Sequence, residues 1–261
     1  MDIVLIAVVA ALASALTLYS GFGLGTLLLP AFALFLPAPI AVVATGIVHL
    51  LNNLFKSGLL WNRADWKTVL KFGIPAVPAA VAGAWLLALL GDTPRLFEWS
   101  AFDRRFGPTG AGLAIGLLMM LFATLELQRW FQALKAPPRF MPVGGLLTGF
   151  FGGLTGQQGA FRTIFLLRSG LPPERLIATG VMIAVLVDLA RLTTYAASFS
   201  TMGLNLAGRE GLLVLVGTLS AFLGAYVASR HLEKLTIGAV RYGVAALMLA
   251  IGAALAVGLL D

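Results

Sequence analysis

The run Gly149-Phe-Phe-Gly-Gly-Leu-Thr-Gly-Gln-Gln-Gly-Ala160 sets glycines and two adjacent amides inside sequence that is apolar on both sides. A hydrophobic helix gains nothing from such an interruption. A ligand site built from a broken helix does, because glycine lets backbone approach a ligand closely and permits positive φ. A plainer version stands earlier, at Tyr19-Ser-Gly-Phe-Gly-Leu-Gly-Thr26. If each break is the tip of a hairpin, a helix starts at Thr26 and another at Ala160. Each helix start offers unpaired N–H groups and a partial positive charge, which is chemistry for a small anion. The candidate ligands at the first tip are Gly21, Gly23, Gly25 and Thr26. At the second they are Gly156, Gln157, Gln158 and Gly159, with Arg162 just beyond, where a full charge is costly unless something needs it. The competing reading is that the glycines only let helices pack closely.

Further polar residues fall on one helical face of the next apolar run: Thr45, His49, Asn52 and Lys56 recur at helical spacing, with Asn53 alongside. His49 lies about 15 Å into its span at 1.5 Å per residue. This face reads as the wall of a translocation path, with His49 able to carry a proton. The other reading is a histidine hydrogen-bonded between helices. Asp188 and Arg191, three residues apart, can pair on one face. Their position reads as the outer end of a span and their role as structural rather than a relay. Arg230, His231 and Lys234 read as a solvated loop.

The elements that must hold these residues follow from composition. Of 261 residues, 59% are hydrophobic and 11% charged, and the mean hydropathy is +0.96; a soluble domain carries about 25% charged residues. Long apolar runs occupy nearly the whole chain, which makes it an all-α polytopic membrane protein. The runs do not alternate as barrel strands would. The net charge of +7 sits in short loops, where it sets orientation and meets lipid headgroups, and it forms no nucleic-acid face. With no cysteine, disulfides and thiolate metal sites are excluded. No metal or cofactor motif and no enzyme signature is present. The N-terminus lacks the basic region of a signal peptide and reads as a retained first helix.

The apolar runs are Ile3–Leu18, Thr26–Leu36, Ile40–Leu60, Phe72–Leu90, Thr109–Leu125, Val143–Gly170, Pro172–Tyr195, Gly211–Ser229 and Tyr242–Leu260. Pro75 and Pro78 fall in the first turns of theirs, where proline is tolerated best. In the connection 91–108, aromatic and charged residues alternate, and it reads as a short helix lying on the membrane surface. The basic stretch Glu126–Met141 divides the chain into a first membrane repeat, 1–135, and a second, 136–261.

A shift of 134 residues lays Gly25 on Gly159, Pro39 on Pro173, Gly83 on Gly217 and Ala44-Thr45-Gly46 on Ala178-Thr179-Gly180. Cytoplasmic loops accumulate Lys and Arg. If each broken segment crosses once, the two sides carry nearly equal numbers. If each enters and returns as a hairpin, one side carries eleven and the other four. The hairpin arrangement leaves three spans per half, and an odd number inverts the second half. The expectation is two inverted repeats, each a broken-helix hairpin plus three transmembrane helices, with both termini periplasmic and the hairpin tips meeting near the midplane.

Ser20-Gly-Phe-Gly-Leu-Gly-Thr26 with Pro30 and Ala44-Thr-Gly46, repeated as Gly149-Phe-Phe-Gly-Gly-Leu-Thr-Gly156 with Gly159 and Ala178-Thr-Gly180, resembles the TauE/SafE sulfite exporter family over nearly the entire chain. The resemblance implies a multi-pass protein of the bacterial inner membrane that transports sulfite or a sulfur-containing organic anion. The expected activity is secondary transport, directed outward, by alternating access. The partners are the small anion, membrane lipid and a coupling proton or cation; a homo-oligomer is allowed. The reading from another class is a passive anion channel or an accessory membrane subunit of a larger complex.

Overall fold

The computed structural model describes residues 1–20, 24–101, 103–198, 205–231 and 237–260. They form an all-α membrane-type fold. The helices are α1 (Asp2–Ser20), α2 (Leu24–Ala33), α3 (Ala38–Leu60), α4 (Trp66–Gly91), α5 (Gly110–Leu127), the single turn α6 (Arg129–Gln132), α7 (Met141–Thr155), α8 (Gly159–Leu166), α9 (Pro173–Ala197), α10 (Arg209–His231) and α11 (Ile237–Ala256). Among the described residues, α3, α4, α5, α9 and α10 are long and apolar enough to cross a membrane. The chain is a multi-pass membrane protein.

The second break is present between α7 and α8; the first falls between α1 and α2 on residues 21–23, which lie outside the described residues. α2 and α8 have 10 and 8 residues, so at 1.5 Å per residue they reach only about 15 and 12 Å, roughly half a bilayer core. α8 folds back on α7: a Cβ on Gly144, near the start of α7, would meet the Phe165 ring at 2.4 Å, near the end of α8. The turn between them is made by Gly156, whose φ of +78° is the left-handed conformation that ends helices. α2 packs against α1 and α3.

The packing is reciprocal. α1 lies on α10 and α4 on α7, while α3 meets α9 and α5 meets α11. Glycine makes the closest of these contacts. Gly145, Gly149 and Gly153 recur every four residues on α7. A Cβ on them would lie 2.2, 2.1 and 2.1 Å from the carbonyl oxygens of Phe72, Ala76 and Ala80 on α4. Gly224 of α10 stands in the same relation to the Ala11 carbonyl of α1, at 2.1 Å. Small residues at fourfold spacing let membrane helices touch backbone to backbone.

The connections gather at two ends. At one, Arg63 pairs with Glu174 at 2.7 Å and Arg175 with Asp65 at 3.1 Å; Lys71 reaches the Pro138 carbonyl and Arg241 reaches Gln132. At the other, Asp2 pairs with Arg209, and the Trp99 indole donates to the Val257 carbonyl.

Three sequence expectations are corrected. Among the described residues of 91–108 there is no surface helix. Trp99–Ala101 and Arg104–Phe106 form an antiparallel two-stranded hairpin, β1–β2, with Trp99 opposite Phe106. Asp103 takes the positive φ of the turn between the strands. Pro75 and Pro78 are in the interior of α4, because the helix starts at Trp66, where the Asp65 side chain caps the Thr68 N–H at 2.9 Å. The stretch 230–241 is also shorter as a connection than expected, since α10 extends through Arg230 to His231 and α11 begins at Ile237.

Candidate functional site

The two breaks meet. A Cβ on Gly25, in the first turn of α2, would lie 2.7 Å from the Gly156 carbonyl oxygen and 3.8 Å from the Thr45 methyl. A side chain at position 25 would collide with that carbonyl. Thr26 is buried beside Gly25. Gly21 and Gly23 lie outside the described residues, as does Lys234. Past Gly156, Gln157 and Gln158 are 3% and 1% exposed, and Gly159 opens α8.

The end of α7 that faces this crossing has its carbonyls held from α9. Arg191 Nη1 donates to the Gly152 carbonyl at 3.2 Å, and one turn later the Tyr195 hydroxyl donates to the Gly153 carbonyl. A helix that stops inside a membrane must satisfy its last carbonyls within the protein. A guanidinium is favourable there for a second reason, since the C-terminal end is the negative pole of the helix.

Arg191 also pairs with Asp188, through Nε at 3.0 Å and Nη2 at 2.8 Å. Both side chains are fully buried. The pairing follows from the spacing, but its place does not: the pair lies deep in the protein, not at an outer end. Asp188 gathers three more residues. His49 Nδ1 lies 2.5 Å from Oδ2, the Gln158 amide donates to Oδ1 at 3.0 Å, and Asn53 reaches Oδ2 at 3.5 Å. An ionised carboxylate oxygen only accepts, which puts a proton on Nδ1 of His49; the Asn53 amide nitrogen lies 2.9 Å from Nδ1 and 3.5 Å from Nε2.

Gln158 extends the chain of contacts, because Arg162 Nη1 donates to its carbonyl oxygen at 3.4 Å. Arg162 crosses over Gly180, where a Cβ would be 3.5 Å from Nε. Gly46 similarly faces the Arg191 guanidinium, at 3.3 Å. The glycines of both Ala-Thr-Gly triplets thus make room for an arginine. Lys56 is buried one turn beyond Asn52 and Asn53, within electrostatic reach of Arg162. Asn52 accepts from Ser14 of α1 at 3.0 Å.

Three buried polar groups around this crossing lack a hydrogen-bond partner: the Thr45 hydroxyl, the Asn52 amide nitrogen and both side-chain atoms of Gln157. A buried donor without a partner costs about 1–3 kcal/mol. The charges are also unequal. Arg191 and Arg162 act on Asp188 and Lys56 lies within reach of Arg162, while among the described residues Asp188 is the only acidic side chain in the buried core.

A family model, Sulfite exporter TauE/SafE, matches residues 5–255. The chain belongs to the TauE/SafE sulfite exporter family. No curated protein matches it. The TauE/SafE family is one of membrane transporters, and the match spans both breaks and both Ala-Thr-Gly triplets.

Of the residues the sequence singled out, the structure brings Gly25, Thr26, His49, Asn52, Asn53, Gly156, Gln157, Gln158, Gly159 and Arg162 into one buried region of this TauE/SafE chain. Gly149 and Gly153, in the same glycine-rich run, serve helix packing on α4 instead. Asp188, Arg191 and Tyr195 were missing from the candidate site. Their signal was present as an acid, a base and a phenol at positions i, i+3 and i+7 of one apolar span, which is one helical face.

Proposed function

We propose that the chain is a secondary transporter of a small anion, sulfite or a sulfur-containing organic anion, bound where the two broken helices cross. The observation that carries this reading is the surplus of cations, buried Arg191 and Lys56 and half-buried Arg162, over the single buried carboxylate. A net positive charge in a dry interior is costly, and an anion relieves it. The N–H groups at the starts of α2 and α8 and the Gln157 amide supply hydrogen bonds, and Arg162 supplies the charge. Arg191 is committed to Asp188 and to the end of α7. His49, Asn52 and Asn53 line the route.

Two inverted repeats, 1–135 and 136–261, would move this anion outward across a bacterial inner membrane by alternating access. The reciprocal packing of α1 on α10 and of α4 on α7 supports that reading. So do the connections: Arg63 with Glu174, and Asp2 with Arg209, join loops that hairpin topology puts on a common side. The basic end would face the cytoplasm and both termini the periplasm.

Uptake of labelled sulfite into proteoliposomes tests the function. Saturable flux that Arg162→Ala abolishes is the expected result. Non-saturating electrical conductance would favour a passive channel. No flux of any sulfur oxyanion or sulfonate would contradict transport by this chain alone.

A further inference from the structure

We infer that the His49–Asp188 pair is a proton site linked to anion binding, with Gln158 as the residue that couples the two. The inference rests on the anion site proposed above. His49 stands in the middle of α3, 3% exposed, with Nδ1 held 2.5 Å from Asp188. Asp188 binds Gln158, and Gln158 accepts from Arg162. One unbroken series of hydrogen bonds therefore runs from the imidazole to the arginine assigned to the anion.

The charged groups around His49 are few. α9 presents Asp188 and Arg191, α8 presents Arg162, and α3 itself presents Lys56. α1, α2 and α10 carry no charged side chain between their ends. With His49 neutral, a monoanion against Arg162 balances the two arginines and Asp188. A dianion, with Lys56 in its uncharged form, leaves the cluster with surplus negative charge. A proton taken from water onto Nε2 of His49 then restores the balance. The Nδ1–H bond to Asp188 is kept, and the ring goes from neutral to cationic. Because linkage is reciprocal, protonating His49 tightens anion binding by the same factor as the anion favours the proton. A carrier with such a site moves anion and proton together.

The test is calorimetric titration of the full chain in detergent, repeated in buffers of different ionisation enthalpy, which counts protons taken up per anion bound. Sulfite protonates near neutrality itself, so sulfate and methanesulfonate are titrated beside it. The expected result is uptake of up to about one proton per dianion between about pH 5 and 8, absent in His49→Gln and retained in Lys56→Met. Binding of sulfate to the unmodified protein with no proton uptake overturns this inference and leaves the anion site standing; methanesulfonate, a monoanion, should bind without uptake. If only sulfite binds, equal uptake by the unmodified protein and His49→Gln overturns it. Uptake that survives in His49→Gln and disappears in Lys56→Met also overturns it, placing the proton on the lysine. No binding of any of the three removes the anion site and this inference with it.

Discussion

At the scale of single residues, Asp188 has the largest part. It holds His49, Gln158 and Arg191 at once, and through Arg191 it fixes the end of α7. Sequence alone showed Asp188 beside Arg191 but not His49, because the contact joins residues 139 apart, and no local period encodes it. The tip residues were legible because Gly156, Gln157, Gln158 and Arg162 have no use in a plain apolar helix. Two predictions belong here. Tyr195→Phe leaves the Gly153 carbonyl unsatisfied and should lower stability by about 1–3 kcal/mol, read as an earlier thermal unfolding midpoint in detergent; an unchanged midpoint would show that the hydroxyl is not needed. Arg162→Lys keeps the charge but loses the fork, so sulfite affinity should fall by about tenfold or more, a smaller loss than in Arg162→Ala.

At the scale of elements, the glycine-rich run serves two purposes that its sequence does not separate. Gly145, Gly149 and Gly153 press α7 onto α4, while Gly156 makes the turn and accepts the approach of Gly25. Fourfold spacing marks the first set and the neighbouring amides mark the second. Gly149→Leu should push α4 and α7 apart and cost about 1–3 kcal/mol or more, lowering the yield of folded protein in the membrane; normal yield and stability would contradict the packing described. The hairpin β1–β2 was misread as a helix because aromatic residues at a membrane surface suit either element. The start of α4 was placed too late because its first turns are polar. Asp65 is the cap there, and its carboxyl is held below the usual carboxylate range by hydrogen bonds from Thr68, with Arg175 adding to the effect. A depressed carboxylate stabilises above its unfolded value, so the cap is fully formed at neutral pH and is lost only as pH falls through the lowered value. Asp65→Ala should cost about 0.5–2 kcal/mol at neutral pH, measured as a lower unfolding midpoint; the difference from the unmodified protein should shrink in acid.

At the scale of the whole molecule, composition was enough to show a multi-pass helical protein, since apolar runs of this length have few other solutions. The proposed repeat rests on small residues at a fixed shift, and the proposed hairpin topology on the distribution of Lys and Arg. What sequence could not supply was which helices pack together, since lipid-facing and protein-facing leucines look alike. The absence of cysteine makes topology directly testable. A single cysteine at position 2 should react with an impermeant thiol reagent from the periplasm, and one at position 174 from the cytoplasm. Labelling of both from one side would contradict the arrangement. The central claim is that an anion sits where the broken helices cross. A structure solved with selenite, a heavy analogue of sulfite, tests it most directly through the anomalous signal of selenium. The account predicts a peak bounded by Gly25, Gly156, Gln157 and Arg162, lost in Arg162→Ala; selenium bound only elsewhere in the protein would contradict it.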